Sequence, residues 1–174
     1  MVSSATHSTN STAELVQQLA TALLARGWML ASAESGTGGL IAGACTDLAG
    51  SSAWLERGFV TYSNAAKTQM LAVDTALIAQ HGAVSEPVAG AMAQGALQNS
   101  QAQVALAVTG VAGPGGGSAD KPVGTVWFGW AFDGRVLSEV QRFAGDRAAV
   151  RQATVNHSLQ RLLELLQTPS THDA

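Results

Sequence analysis

Eighteen residues from Gly50 to Lys67, GSSAWLERGFVTYSNAAK, hold paired serines, the only tyrosine and one of the two lysines of the chain. A serine hydroxyl becomes a nucleophile once a base takes its proton, and a neutral lysine amine is one such base. The usual partners are scarce, since the four histidines (His7, His81, His157, His172) are scattered and Cys45 is the only cysteine. Ser51, Ser52, Tyr62 and Lys67 therefore form a candidate serine–lysine constellation. Its plainer reading makes the serines turn residues, Tyr62 a strand aromatic and Lys67 a solvated helix charge. A lysine base must fall from about 10.4 to about 7 or 8, which requires burial or a neighbouring cation. Arg147 and Arg151, one helical turn apart, are candidates for that cation.

Two glycine-rich segments could bind an anion. Glu34-Ser35-Gly36-Thr37-Gly38-Gly39 leads from an apolar run into a helix, where free backbone N–H groups can hold a phosphate or an oxyanion. Gly110 to Lys121 carries five glycines and a proline, a composition that allows close backbone approach to a ligand. Neither is a Walker loop, and no G-x-G-x-x-G register passes through the second. Each also reads as an ordinary turn. His81 precedes Gly82 at an expected helix end, where a cation suits the helix dipole, and no second ligand stands at metal spacing. No metal and no cofactor are expected.

The elements that must position these groups follow from periodicity. A helix starts at Ser11, buries Leu15, Val16, Leu19 and Leu23, and stops at Gly27. Strands are expected over Trp28–Ala33, Arg57–Tyr62, Val104–Thr109, Gly124–Ala131 and Val136–Phe143, the last two joined at Asp133-Gly134. Ser63 or Asn64 caps the helix that carries Lys67, Ser85 with Pro87 opens another, and the final helix starts near Asp146. Helices alternating with apolar strands predict an α/β domain: a three-layer α/β/α sandwich on a mixed, mostly parallel sheet of about five or six strands. Residues 12–167 are read as a single domain, with tails at 1–11 and 168–174.

With 174 residues, 47% of them hydrophobic and 12% charged, one well-buried domain is the default. A formal charge of −3 offers no basic stripe for nucleic acid. No leader-like or membrane-length apolar run is present, and one cysteine forms no internal disulfide. A soluble, cytoplasmic protein is expected.

Seven blocks in order extend the reading: Ala33-Glu-Ser-Gly-Thr-Gly-Gly39, Gly50-Ser-Ser-Ala53, Arg57-Gly-Phe-Val-Thr-Tyr-Ser-Asn64, His81-Gly-Ala-Val-Ser-Glu86, Thr109-Gly-Val-Ala-Gly-Pro-Gly-Gly-Gly117, Lys121-Pro-Val-Gly-Thr-Val126 and Gly145-Asp-Arg147. Together they resemble the CinA C-terminal domain family, from about Ala13 to Leu166. The resemblance implies an amidase that converts nicotinamide mononucleotide to nicotinate mononucleotide and ammonia without a metal, usually as a homodimer. It implies Ser52 as nucleophile and Lys67 as base, with Tyr62, Ser35, Thr109 and Arg147 at further site positions. The family commonly has cysteine where this chain has Gly36, so a thiol mechanism there is excluded.

On this reading Lys67 deprotonates Ser52, and Tyr62 aligns or relays the proton. The Gly36–Gly39 turn or the Thr109-Gly110 corner stabilises the oxyanion, and Arg147 and Arg151 are alternative phosphate ligands. A catalytically silent nucleotide-binding regulatory module, and an amidase for a different small amide, remain the alternatives.

Overall fold

The computed structural model describes residues 10–168. The first helix, α1 (Thr12–Arg26), is bounded by the expected residues: the Ser11 hydroxyl accepts from the Glu14 amide, and Gly27 ends the helix at φ 66°. The chain continues through β1 (Leu30–Glu34), α2 (Leu40–Thr46), one 3-10 turn (Ser51–Ala53), β2 (Leu55–Val60), α3 (Asn64–Leu71), α4 (Thr75–His81) and α5 (Glu86–Gln98). It closes with β3 (Val104–Gly110), β4 (Thr125–Phe132), β5 (Arg135–Arg142) and α6 (Arg147–Gln167). Apart from Asn10, Ser11 and Thr168, the expected tails lie outside the described residues.

One five-stranded sheet runs in the order β2-β1-β3-β4-β5. β1 pairs in parallel with β2 and β3, while β3–β4 and β4–β5 are antiparallel. The sheet is therefore evenly mixed, which corrects the expectation of a mostly parallel one. The cause lies between Gly110 and Thr125, where a glycine-rich loop folds the chain straight back instead of crossing over through a helix. Asp133 and Gly134, at φ 52° and 70°, make the expected tight turn of the hairpin that follows.

Helices cover both faces. Leu30, Leu106, Val108, Phe128 and Trp130 pack with residues of α1, α2 and α6, whereas Ala31, Ala33, Ala105, Ala107 and Ala131 pack beneath α3, α4 and α5. Alternation along a strand sends successive side chains to opposite faces, and here it sends large residues one way and alanines the other. The alanine face lets α5 approach closely. At Gly95 an added Cβ would stand 2.0 Å from the Leu71 carbonyl oxygen at the end of α3. Gly95→Ala therefore forces two helices apart and is expected to destabilise the fold by about 1–3 kcal/mol, read as a lowered denaturant midpoint. An unchanged midpoint would show that α3 and α5 separate freely.

Candidate active site

The end of β1 divides its residues between the two faces. Ala31 and Ala33 face α5, which puts Ser35 on the same side, while Glu34 turns toward α2. β2 ends beside it, with the Thr61 amide donating to the Glu34 carbonyl. The chain then caps α3 through the Ser63 hydroxyl, which accepts from the Ala66 amide, and Lys67 lies one turn in. From there its side chain reaches back across the sheet end.

The Lys67 amine is 3.1 Å from Ser35 Oγ, 2.9 Å from the Thr61 carbonyl oxygen and 3.3 Å from that of Tyr62. Lys67 is only 1% exposed. Burial alone pushes its pKa below the ordinary lysine value; the arginines expected to supply a second cation take no part. A neutral amine has two N–H bonds and one lone pair. The two carbonyls accept only, so they take the N–H bonds and leave the lone pair to the one partner able to donate, the Ser35 hydroxyl. The arrangement sets a serine hydroxyl beside an amine whose lone pair, when uncharged, can accept its proton.

Ser52 is not part of this pair. It sits in the 3-10 turn before β2, and the Trp54 carbonyl that follows accepts from the Leu30 amide at the beginning of β1. The length of β2, about 17 Å at roughly 3.3 Å per residue, separates it from Lys67. Within the chain the expected Ser52–Lys67 contact is replaced by Ser35–Lys67. Tyr62 also differs from expectation: its backbone carbonyl meets the lysine, but its side chain is 65% exposed and its phenol bonds neither Ser35 nor Lys67.

The turn after Ser35 is held from two sides. The buried Glu34 carboxylate accepts from the Thr37 hydroxyl (2.6 Å) and from the Ile41 and Ala42 amides (2.9 and 3.1 Å), tying the turn to the first turn of α2. From α6, Arg151 donates through Nε to the Gly36 carbonyl (3.1 Å) and through Nη2 to that of Thr37 (3.3 Å). Gly38 and Gly39 adopt positive φ, at 60° and 111°. Gly36 does not, and a Cβ built there would meet only the Gly110 carbonyl oxygen, at 3.8 Å. The turn thus has room for a small side chain at this position. The chain's own Cys45 is buried, and burial with the nearby Glu34 charge pushes its thiol up to about 12, so it is inert.

The other expected residues do structural work in the free protein. The Thr109 hydroxyl donates to the Ala83 carbonyl, drawing the loop before α5 over the sheet end. Arg147 donates to the Gly113 carbonyl and pins the glycine-rich loop. A narrow crevice runs behind the turn, lined by Gly36, Thr37, Thr109, Gly110, Ala112 and Arg151 among others. Ser35 and Lys67 do not line it. Among the described residues no three His, Cys, Asp or Glu side chains converge. Glu34 is the residue that reading the sequence missed. Its signal was a carboxylate three positions before a threonine and just ahead of a helix start.

Residues 12–166 match the protein family described as the CinA C-terminal domain. The chain is 58% identical over 151 residues to the nicotinamide-nucleotide amidohydrolase PncC of Enterobacter agglomerans, across 86% of this chain and 92% of that protein. It is 53% identical over 150 residues to the protein of the same name from Escherichia coli K12, across 86% and 91%. Among solved structures it is similar to competence/damage inducible protein CihA from Agrobacterium tumefaciens, with a TM-score of 0.87 and 49% identity over 90% of this chain and 96% of that one.

Proposed function

The chain belongs to the CinA C-terminal domain family, and we propose that it hydrolyses the carboxamide of nicotinamide mononucleotide to nicotinate mononucleotide and ammonia, with Ser35 as nucleophile and Lys67 as base. The observation that carries this reading is the buried amine of Lys67, 3.1 Å from a serine hydroxyl and otherwise bonded only to carbonyl oxygens.

The neutral amine takes the Ser35 proton as Oγ bonds to the carboxamide carbon, leaving a tetrahedral oxyanion beside an ammonium on Lys67. Collapse breaks the C–N bond, and Lys67 returns its proton to the departing nitrogen, releasing ammonia and leaving a nicotinoyl ester on Ser35. Water then attacks that ester with Lys67 again as base. The C–O bond to Ser35 breaks, and the serine recovers its proton. Oxyanion stabilisation falls to backbone donors of the turn after Ser35, where the amides of Gly36 and Thr37 have no acceptor among the described residues. Thr109, Gly110 and Arg147 are assigned to the ribose and phosphate on this reading, and the exposed Tyr62 ring is available to cover the pyridine. A homodimer belongs to the same reading, with sedimentation of the purified chain as its check.

Ammonia release from nicotinamide mononucleotide, nicotinamide and the full dinucleotide tests activity and selectivity together. Turnover is expected with the mononucleotide. Because the base works only when uncharged, log kcat/KM should rise with pH along a limb of unit slope. Its midpoint should lie below the ordinary lysine value, as the burial of Lys67 requires. Saturable binding without ammonia would instead make the protein a nucleotide-binding module, and equal rates on free nicotinamide would make it a general amidase.

A further inference from the structure

We propose that Arg151 is a positioning residue for the reaction: by holding two carbonyl oxygens of the turn after Ser35, it aims the Thr37 amide at the developing oxyanion and is not a ligand of the substrate phosphate. The proposal rests on the Ser35–Lys67 reading above and deepens it.

The argument starts from the planar peptide, in which C=O and the following N–H point in opposite directions when the bond is trans. The only cis bond among the described residues is Gly113-Pro114, so the peptides within the turn are trans. Arg151 holds the Gly36 carbonyl at 3.1 Å and the Thr37 carbonyl at 3.3 Å. The Thr37 and Gly38 amides must then point away from α6, back toward Ser35.

The second of these amides does so. Gly38 N–H donates to the Ser35 carbonyl oxygen at 3.0 Å. The first, on Thr37, has no acceptor among the described residues although Thr37 is buried. An N–H without a partner in a buried residue is uncommon, and it is what a pre-aimed oxyanion donor looks like before substrate arrives. The guanidinium also polarises the two peptides it touches, drawing electron density toward their oxygens and strengthening their N–H groups as donors.

With Nε and Nη2 committed to backbone carbonyls, the side edge of the Arg151 guanidinium is spent on the turn, and only the Nη1 edge is left for another partner. Arg147, by contrast, spends one donor on Gly113 and is exposed. The two arginines, equivalent in the sequence, thus have different work.

Steady-state kinetics separate the two roles. For Arg151→Ala, kcat on nicotinamide mononucleotide is expected to fall about 100-fold, the scale of a lost oxyanion donor, while KM changes by less than about threefold. Millimolar guanidinium should restore at least about tenfold of the lost kcat without affecting the unsubstituted enzyme. Arg151→Lys should stay slow, because an ammonium lacks the planar fork that meets both carbonyls. Should Arg151→Ala not fold, Arg151→Lys carries the same comparison.

The proposal is overturned by a retained kcat with KM raised about tenfold or more, together with loss of the preference for the mononucleotide over its riboside. Wild-type kcat in Arg151→Lys, or no rescue by guanidinium in a folded Arg151→Ala, also overturns it. Ser35→Ala in the same assay keeps the two readings apart. Turnover surviving that change brings down the nucleophile assignment, whereas turnover lost there with only KM altered at Arg151 brings down the arginine's role alone.

Discussion

Alanine at position 35 is expected to lower kcat by about 10⁴-fold or more, whereas alanine at position 52 should leave it within about twofold. The asymmetry follows from where the two serines stand. Ser35 Oγ is 3.1 Å from the one fully buried lysine amine among the described residues, at the sheet end where backbone donors gather. Ser52 is an exposed residue of a 3-10 turn at the other end of β2. Removing a nucleophile removes the covalent route itself, so what remains is whatever binding and oxyanion donors give to direct attack by water. Removing an exposed turn serine touches none of this. Quenching a turnover mixture in acid and measuring peptide masses gives an independent readout: the nicotinoyl adduct should be found on Ser35. An adduct on Ser52, or an inactive Ser52→Ala beside an active Ser35→Ala, would reverse the assignment.

The Ser52–Lys67 pairing, which the fold does not bring together within the chain, shows what was legible in the sequence and what was not. Lys67 stood out because lysines are rare in this chain and a base was needed, and its helix and cap follow from local residue types, whereas its burial was legible only as a requirement of that base. Nearness in the chain misled. The stretch from Gly50 to Lys67 contains the whole of β2, so its two ends lie at opposite ends of the sheet. Ser35 is thirty-two residues from Lys67, yet topology brings them together. β1 and β2 are parallel, so the residue just after β1 and the helix just after β2 both emerge at the same carboxyl edge, where α/β sheets place their ligands. The alternation Ala31, Ala33, Ser35 carried the remaining clue, that the serine faces the helix bearing the lysine.

The arginines were legible as candidate ligands and cations, but their bonding to backbone carbonyls was not. A guanidinium that bonds backbone carbonyls leaves no motif, because its partners are peptide groups present at every position. The same holds for the sheet's even mixture of pairings. The Asp133-Gly134 hairpin declares itself by residue type, whereas the return from β3 to β4 depends on a glycine-rich loop whose path no local preference dictates.

Replacing Lys67 with methionine should separate catalysis from stability, lowering kcat by about 10³-fold or more while making the folded protein harder to unfold. Methionine keeps the length and apolar stem of lysine but offers Ser35 no proton acceptor. The stability gain comes from what the amine costs. Lys67 is buried with no carboxylate partner, and that burial is why its pKa is lowered. The sign follows by linkage. The unfolded chain binds the proton up to the ordinary lysine value of about 10.4, the folded chain only up to its lower one, so between the two the unfolded state holds more protons and stability rises with pH. Below the folded pKa the penalty for a buried ammonium is fully present; above the unfolded pKa it is gone. The advantage of Lys67→Met should therefore be greatest at low pH, on the order of 0.5–2 kcal/mol, and shrink as pH rises through that window. Two carbonyls, of Thr61 and Tyr62, lose their amine donor in the variant and offset part of the gain. Chemical denaturation at several pH values, beside ammonia release, reads both effects. A variant that is inactive and less stable at every pH would show that the amine is held by favourable bonding, and the argument for an uncharged base at this position would fail with it.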